Sequence, residues 1–277
     1  MSANPITDLT RLCLHTITTK PWPIETAIHK YQAAGIRGIT VWRQALEGRK
    51  PSQVGEQLRG SELEVISLCR GGFFPSTTGA GRRRAIYDNL KAIDEAAAIG
   101  APMIVLVCGA APGQSLQKSR MQIKTGIESI LTHAQSNAIK LAIEPLHPMY
   151  ADTRSAINTL RQANDLAEAI DSEFVGVAID VYHLWWDPEL ETQIHRCGEM
   201  GNVFAFHICD WRTPTEDLLN DRGLMGEGCI PIKTIREWIE STGFSGYNEV
   251  EIFSNRYWAQ DQDRFLGSII NAYLKYS

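Results

Sequence analysis

Eight times between Arg11 and Tyr276 the chain repeats one cycle: a short apolar run, a break of glycine, proline or polar residues, and an amphipathic stretch. Apolar runs this short, without strict alternation, read as buried parallel strands, and a strand–helix cycle permits either an open doubly wound sheet or a closed barrel. The predicted strands are Arg11–Thr16, Gly38–Val41, Leu63–Leu68, Met103–Val107, Leu141–Ile143 running into Glu144, Val175–Ile179 into Asp180, Val203–Phe206 into His207, and Tyr247–Val250 into Glu251. Helices are predicted near Ile24–Ala34, Gln53–Arg59, Arg82–Ile99, Ser115–Ser136, Pro188–Met200, Pro231–Ser241 and Asp261–Tyr276. One more reaches Ile170, with Asp152 or Thr153 as its N-cap. An open sheet of this class places a glycine-rich phosphate loop after its first strand, but here that loop reads His15-Thr16-Ile17-Thr18-Thr19. Eight units fit the 277 residues with no linker left over, so the prediction is one α/β domain over residues 1–277, a (β/α)8 TIM barrel.

Four of the strands end in the same way. Leu141-Ala142-Ile143 stops at Glu144, and Pro145 and Pro148 forbid the strand to continue; Asp180, His207 and Glu251 finish the sixth, seventh and eighth strands. In a barrel all strand C-termini meet at one rim, so four tips far apart in sequence converge on one ion. Three carboxylates and one imidazole suit Mn²⁺, Mg²⁺ or Co²⁺ better than a structural thiolate zinc site, with Zn²⁺ also accommodated.

The remaining features fix the kind of partner. A net charge of -5 with scattered lysines and arginines gives no footprint for nucleic acid or an anionic membrane, which leaves a small-molecule substrate. Neither a leader pattern nor an uninterrupted apolar run of about eighteen residues occurs, so a cytoplasmic protein with no membrane partner is expected. The six cysteines form no C-x-x-C pair, in keeping with a reducing compartment. Trp22, Trp42, Trp185, Trp186, Trp211 and Trp258 follow predicted strands on the rim that bears the tips. Their rings offer flat apolar walls to a sugar face or an aromatic substituent.

Ala142-Ile143-Glu144-Pro145-Leu146, Gly176 through His183, Phe206 through Trp211, Gly226-Glu227-Gly228 and Gly246 through Phe253 together resemble the xylose-isomerase-like barrels. That family contains sugar-phosphate isomerases and epimerases, ketose 3-epimerases, hydroxypyruvate isomerase and inosose dehydratase. The resemblance covers nearly the whole chain. It implies Glu144, Asp180, His207 and Glu251 as metal ligands, His183 on the substrate, and Arg212 where epimerases place an arginine on substrate hydroxyls. It also implies a carbohydrate substrate and fits a homo-oligomer. His147 stands where ketose epimerases commonly have asparagine, which separates the chain from their specificity.

The chemistry of the site agrees. Isomerising a hydroxy-ketone requires removal of a proton beside a carbonyl, and a divalent ion stabilises the resulting enediolate. Glu144 and Glu251 on opposite walls serve as base and acid. His147, Trp42, Trp186 and Trp211 join His183 and Arg212 as expected substrate contacts, with His15 and Arg70 as further rim candidates. The expected function is a metal-dependent keto-sugar isomerase or epimerase. The alternative is a lyase or dehydratase that expels a β-substituent from the same enediolate. An abasic-site endonuclease shares this barrel, but Trp42 and Cys69 occupy strand tips where it needs histidines.

Overall fold

The computed structural model describes residues 5–277. Eight parallel strands close into a barrel: β1 (Leu12–His15), β2 (Gly38–Trp42), β3 (Glu64–Gly72), β4 (Met103–Val107), β5 (Lys140–Glu144), β6 (Val175–Asp180), β7 (Val203–Ile208) and β8 (Asn248–Val250). They stand in sequence order around the ring, and β1 pairs with β8 to close it. Helices Ile24–Ala33, Pro51–Arg59, Gly79–Ile99, Leu116–Ser136, Leu160–Ile170, Leu190–Glu199, Ile232–Ser241 and Gln262–Tyr276 follow the eight strands. No helix among the described residues is long and apolar enough to cross a membrane.

Local chemistry explains most boundaries. Thr78, Ser115, Thr159 and Asp261 each accept a backbone N–H three residues on, satisfying one of the donors orphaned at a helix start. Gly100, at φ +81°, ends the long third helix in the left-handed conformation that glycine adopts without penalty. The sheet's outer face and the helices enclose the main core, in which Leu14, Ile39, Leu106, Ile143, Ile179 and Phe206 are fully buried.

Two predictions need correction. Neither Asp152 nor Thr153 caps a helix: Thr153, Arg154 and Ser155 all donate to the Tyr150 carbonyl. Gly109 N–H also donates to the Arg154 carbonyl, pinning the segment to the tip of β4 and delaying the helix to Leu160. β3 also runs past Leu68 to Gly72, with a register shift between Cys69 and Gly71 against β4 that leaves Arg70 out of the pairing.

Candidate metal and substrate site

The site follows from strand periodicity. Successive side chains alternate faces, so residues two apart share the barrel interior. Ala142 precedes Glu144 on β5, Ala178 precedes Asp180 on β6, and Ala205 precedes His207 on β7, all six buried. The small alanines leave the carboxylates and imidazole facing the barrel axis. Glu251 lies one residue past β8, where its N–H still donates to the Ile208 carbonyl. Glu144, Asp180, His207 and Glu251 are each 4% exposed or less, and one ligand atom from each lies within 4.8 Å of the others. The structure thus brings together the four residues read from the strand tips.

Their hydrogen bonds leave gaps that a cation suits. His207 Nδ1 lies 3.1 Å from Glu144 Oε1, while His207 Nε2 is buried with no hydrogen-bond partner. Asp180 Oδ1 accepts the Tyr182 N–H at 2.8 Å, capping the short helix Val181–Leu184 and fixing the carboxylate. Burial raises the Asp180 carboxyl to about 7; Arg222 opposes the rise, and Glu251 and Glu144 add to it. Burial pushes Glu251 upward too, but Arg222 and His15 outweigh it and hold the carboxyl well below its usual range. A buried group of three carboxylates and an imidazole with a spare nitrogen fits a divalent ion.

Arg222 joins the cluster although the sequence gives no sign of it. Residues 210–211 and 222–223 form an antiparallel hairpin over the rim, opposing Trp211 to Arg222. The guanidinium is buried, and its Nη1 donates to Asp180 Oδ2 at 2.9 Å and to Glu251 Oε2 at 2.6 Å. Its Nη2 is 3.1 Å from His183 Nε2, which assigns that nitrogen as acceptor. Burial and then the Arg222 charge hold the His183 imidazole well below its ordinary pKa, so it is neutral. It stands as a lone arginine four residues before Gly226, in a loop with no periodicity to set its direction.

A buried polar layer lies beneath the four ligands. Glu249, two residues before Glu251, accepts from Thr40 Oγ1 at 2.5 Å and lies 3.1 Å from His15 Nε2. Thr40 also meets Ser67 at 3.1 Å. His15 Nδ1 lies 3.1 Å from Glu251 Oε1 and also 3.1 Å from the Trp42 indole nitrogen. Burial pulls this imidazole down, but Glu251 and Glu249 outweigh it and raise it to about 9. Trp42 therefore serves the layer beneath the site and packs edge-on to Phe253, with 5% of its surface exposed.

The other expected contacts divide. His183 reaches the cluster, and its Nδ1 is buried without a partner. His147 lies between Trp186 and Trp211, at ring-centroid distances of 5.6 and 5.1 Å, and Trp211 stacks on Tyr182 at 4.7 Å. These half-buried rings form one wall beside the ligands, and Trp186 is fixed by its N–H to the His183 carbonyl. Arg212 is not brought to the site: its guanidinium pairs with Asp221 on the rim. The turn at Gly226-Glu227-Gly228 is tied down by Asp210, whose Oδ2 accepts the Gly226 N–H. A Cβ on Gly228 would come within 2.0 Å of the Trp211 carbonyl.

Comparison with known proteins gives a consistent result. The family model for xylose isomerase-like TIM barrels matches residues 28–269. A curated inosose isomerase from Halalkalibacterium halodurans is 25% identical over 239 residues, spanning 82% of this chain and 80% of that protein. A crystal structure of a Sinorhizobium meliloti 1021 protein is 43% identical with a TM-score of 0.93, covering 96% of this chain and 98% of the other. A structure of the IolI protein with a bound zinc atom shares the fold at a TM-score of 0.83 and 17% identity, covering 95% and 96%.

Proposed function

The chain belongs to the xylose isomerase-like TIM barrel family, and from that premise we propose that it is a divalent-metal-dependent isomerase or epimerase of a keto-sugar or related polyol. The whole chain serves this reaction as one barrel domain. The observation that carries the reading is the convergence of Glu144, Asp180, His207 and Glu251, all buried, with one ligand atom of each within 4.8 Å of the others. Glu144, Asp180, His207 and Glu251 would hold a divalent cation, manganese before magnesium, cobalt or zinc for so oxygen-rich a set, which when bound would supply Lewis-acid polarisation of the substrate carbonyl.

The protein's own groups move the proton. Glu251, kept ionised by Arg222 and His15, removes it from the carbon beside the carbonyl. Glu144 stands on β5, separated from β8 by β6 and β7; protonated from solvent before the reaction, it returns that proton from the opposite wall, and Glu251 later releases to solvent the proton it took. Neutral His183 offers its free Nδ1 to a substrate hydroxyl, and Arg222 donates to substrate oxygen beside it. The rings of His147, Trp186 and Trp211 cover the apolar face of the sugar and keep water from the intermediate.

The test is solvent-deuterium incorporation into a panel of ketoses, with metal content measured in parallel. Glu144→Gln and Glu251→Gln should each lower exchange by about 10²- to 10⁴-fold in folded protein, the usual worth of a positioned acid or base. Near-normal turnover in both variants would defeat the assignment. Bound metal without exchange, together with an ultraviolet-absorbing unsaturated product, would transfer the same site to elimination.

A further inference from the structure

Two arginines at the barrel mouth, Arg70 and Arg154, are held in no ion pair among the described residues. Arg70 lies at the register shift between β3 and β4, an irregularity of the kind that re-aims a side chain next to a site. Arg154 follows β5 in the segment pinned to Gly109 at the tip of β4. Neither side chain makes a hydrogen bond or ion pair among the described residues. Arg70 lies instead over the Phe73 ring at 4.2 Å, and Arg154 over the Tyr150 ring at 5.7 Å. Phe73 and Tyr150 belong to one small cluster with Val107 and Leu146, so both guanidiniums stand on the same apolar floor.

The contrast with neighbouring arginines makes the arrangement unusual. Arg43 and Arg70 line one surface cavity of about 920 Å³, but Arg43 is paired with both Asp88 and Glu95. Arg222 is paired with Asp180 and Glu251, and Arg212 with Asp221. Arg70 is half-buried, and its Nε is a buried donor with no acceptor. Burial and then the charge of Arg154 bring the Arg70 guanidinium down to about 10, so it keeps its charge at neutral pH. Two like charges held near each other, one with a wasted buried donor, cost stability unless an anion joins them. Tyr150 also abuts His183, with ring centroids 5.8 Å apart, which places this floor beside the proposed reaction site.

We propose that Arg70 and Arg154 bind an anionic group of the substrate, a carboxylate or a phosphate carried away from the reacting carbons. The proposal rests on the keto-sugar reading above and narrows it: the substrate is a sugar acid or a sugar phosphate, not a neutral sugar. Guanidiniums near aromatic rings, with no acceptor of their own in the protein, keep N–H groups for the oxygens of such a group.

Two measurements on the metal-loaded enzyme test this. In the first, solvent exchange is followed for a ketohexose, its terminal phosphate and its terminal carboxylate. One anionic member should exceed the neutral sugar in kcat/KM by at least about 100-fold, and Arg70→Gln or Arg154→Gln should reduce that ratio by about tenfold or more each. The preferred anion identifies carboxylate or phosphate. A neutral sugar equal to both anionic partners, or a ratio unmoved in both variants, overturns the anion site and leaves the isomerase reading intact. In the second, binding of inorganic phosphate and of acetate is measured by calorimetry, with thermal unfolding as the folding control. Binding weakened about tenfold in both variants supports the site even where no ketose turns over, an outcome that would sink the isomerase reading alone. No binding of either anion, or binding unchanged in both variants, overturns the proposal.

Discussion

Replacement of Arg222 by glutamine should expose what holds the ligand cluster together before a metal arrives. One guanidinium nitrogen lies 2.9 Å from Asp180 and 2.6 Å from Glu251, with all three side chains at 4% exposure or less. Removing one partner of a buried ion pair costs about 3–5 kcal/mol, because the other charges stay buried without compensation. In a chain of this size about 1 kcal/mol moves the thermal midpoint by roughly 2–4 °C, so the chelator-treated variant should melt about 6–20 °C below the wild type. A divalent cation supplies the same charge to the same carboxylates. Calorimetric scans with and without saturating Mn²⁺ should therefore show a larger metal-induced rise for Arg222→Gln than for the wild type, closing more than half of the gap. As a control, Arg161→Gln breaks an exposed pair with Glu189 and should leave the midpoint unchanged. A chelated Arg222→Gln protein within about 2 °C of the wild type, or a gap of equal size with and without cation, would refute the idea that arginine and metal satisfy one cluster.

Two further outcomes follow from packing and titration. Gly126→Ala should destabilise by about 1–3 kcal/mol despite improving helix propensity, since the new Cβ would lie 2.3 Å from the Phe74 ring. Gly267→Ala, mid-helix with nothing within 4 Å, should stabilise by about 0.5–1 kcal/mol; urea unfolding that gave both the same sign would show that the clash, or the propensity gain, is misjudged. Cys229 is the one exposed thiol among the described cysteines, and burial and then Asp210 raise its pKa above 9.0. A thiol reagent should modify one cysteine per native chain, slowly at pH 7 and about tenfold faster per pH unit up to pH 9, because only the thiolate reacts. Fast labelling at pH 7, or more than one native thiol modified, would contradict this environment.

The barrel and its four tips were legible because a strand carries its own ruler. An apolar run that stops at a single carboxylate or imidazole declares both the end of a strand and the side chain at its mouth, and Glu144, Asp180 and His207 lie inside the strands so read. Loops carry no such ruler. Arg212 and Arg222 were equally eligible by position, and the outcome was decided by which of them the hairpin turned inward. The false N-cap arose likewise: Asp152 and Thr153 have the right chemistry for a cap, but bonds to Gly109, far away in sequence, hold their segment in a turn. Glu249 is hidden in the sequence because Tyr247–Val250 reads as a strand ending at Glu251, although it contains Asn248 and Glu249.

Core and site are fixed together on β8. On β8, Asn248 and Val250 alternate with Glu249, and the period of two carries Glu251 to the same inner face as Glu249. β8 pairs with β7 so that Glu249 stands beside His207, and with β1 so that Glu249 stands beside Cys13. A slip of one residue would turn both glutamates toward the helices and drive Val250 into the polar layer of His15 and Thr40. Either consequence strands a buried carboxylate without a donor, a penalty of several kcal/mol per charge. The register that closes the barrel is therefore the one that assembles the ligands, and the polar interior that supports the proposed chemistry also excludes the slipped register.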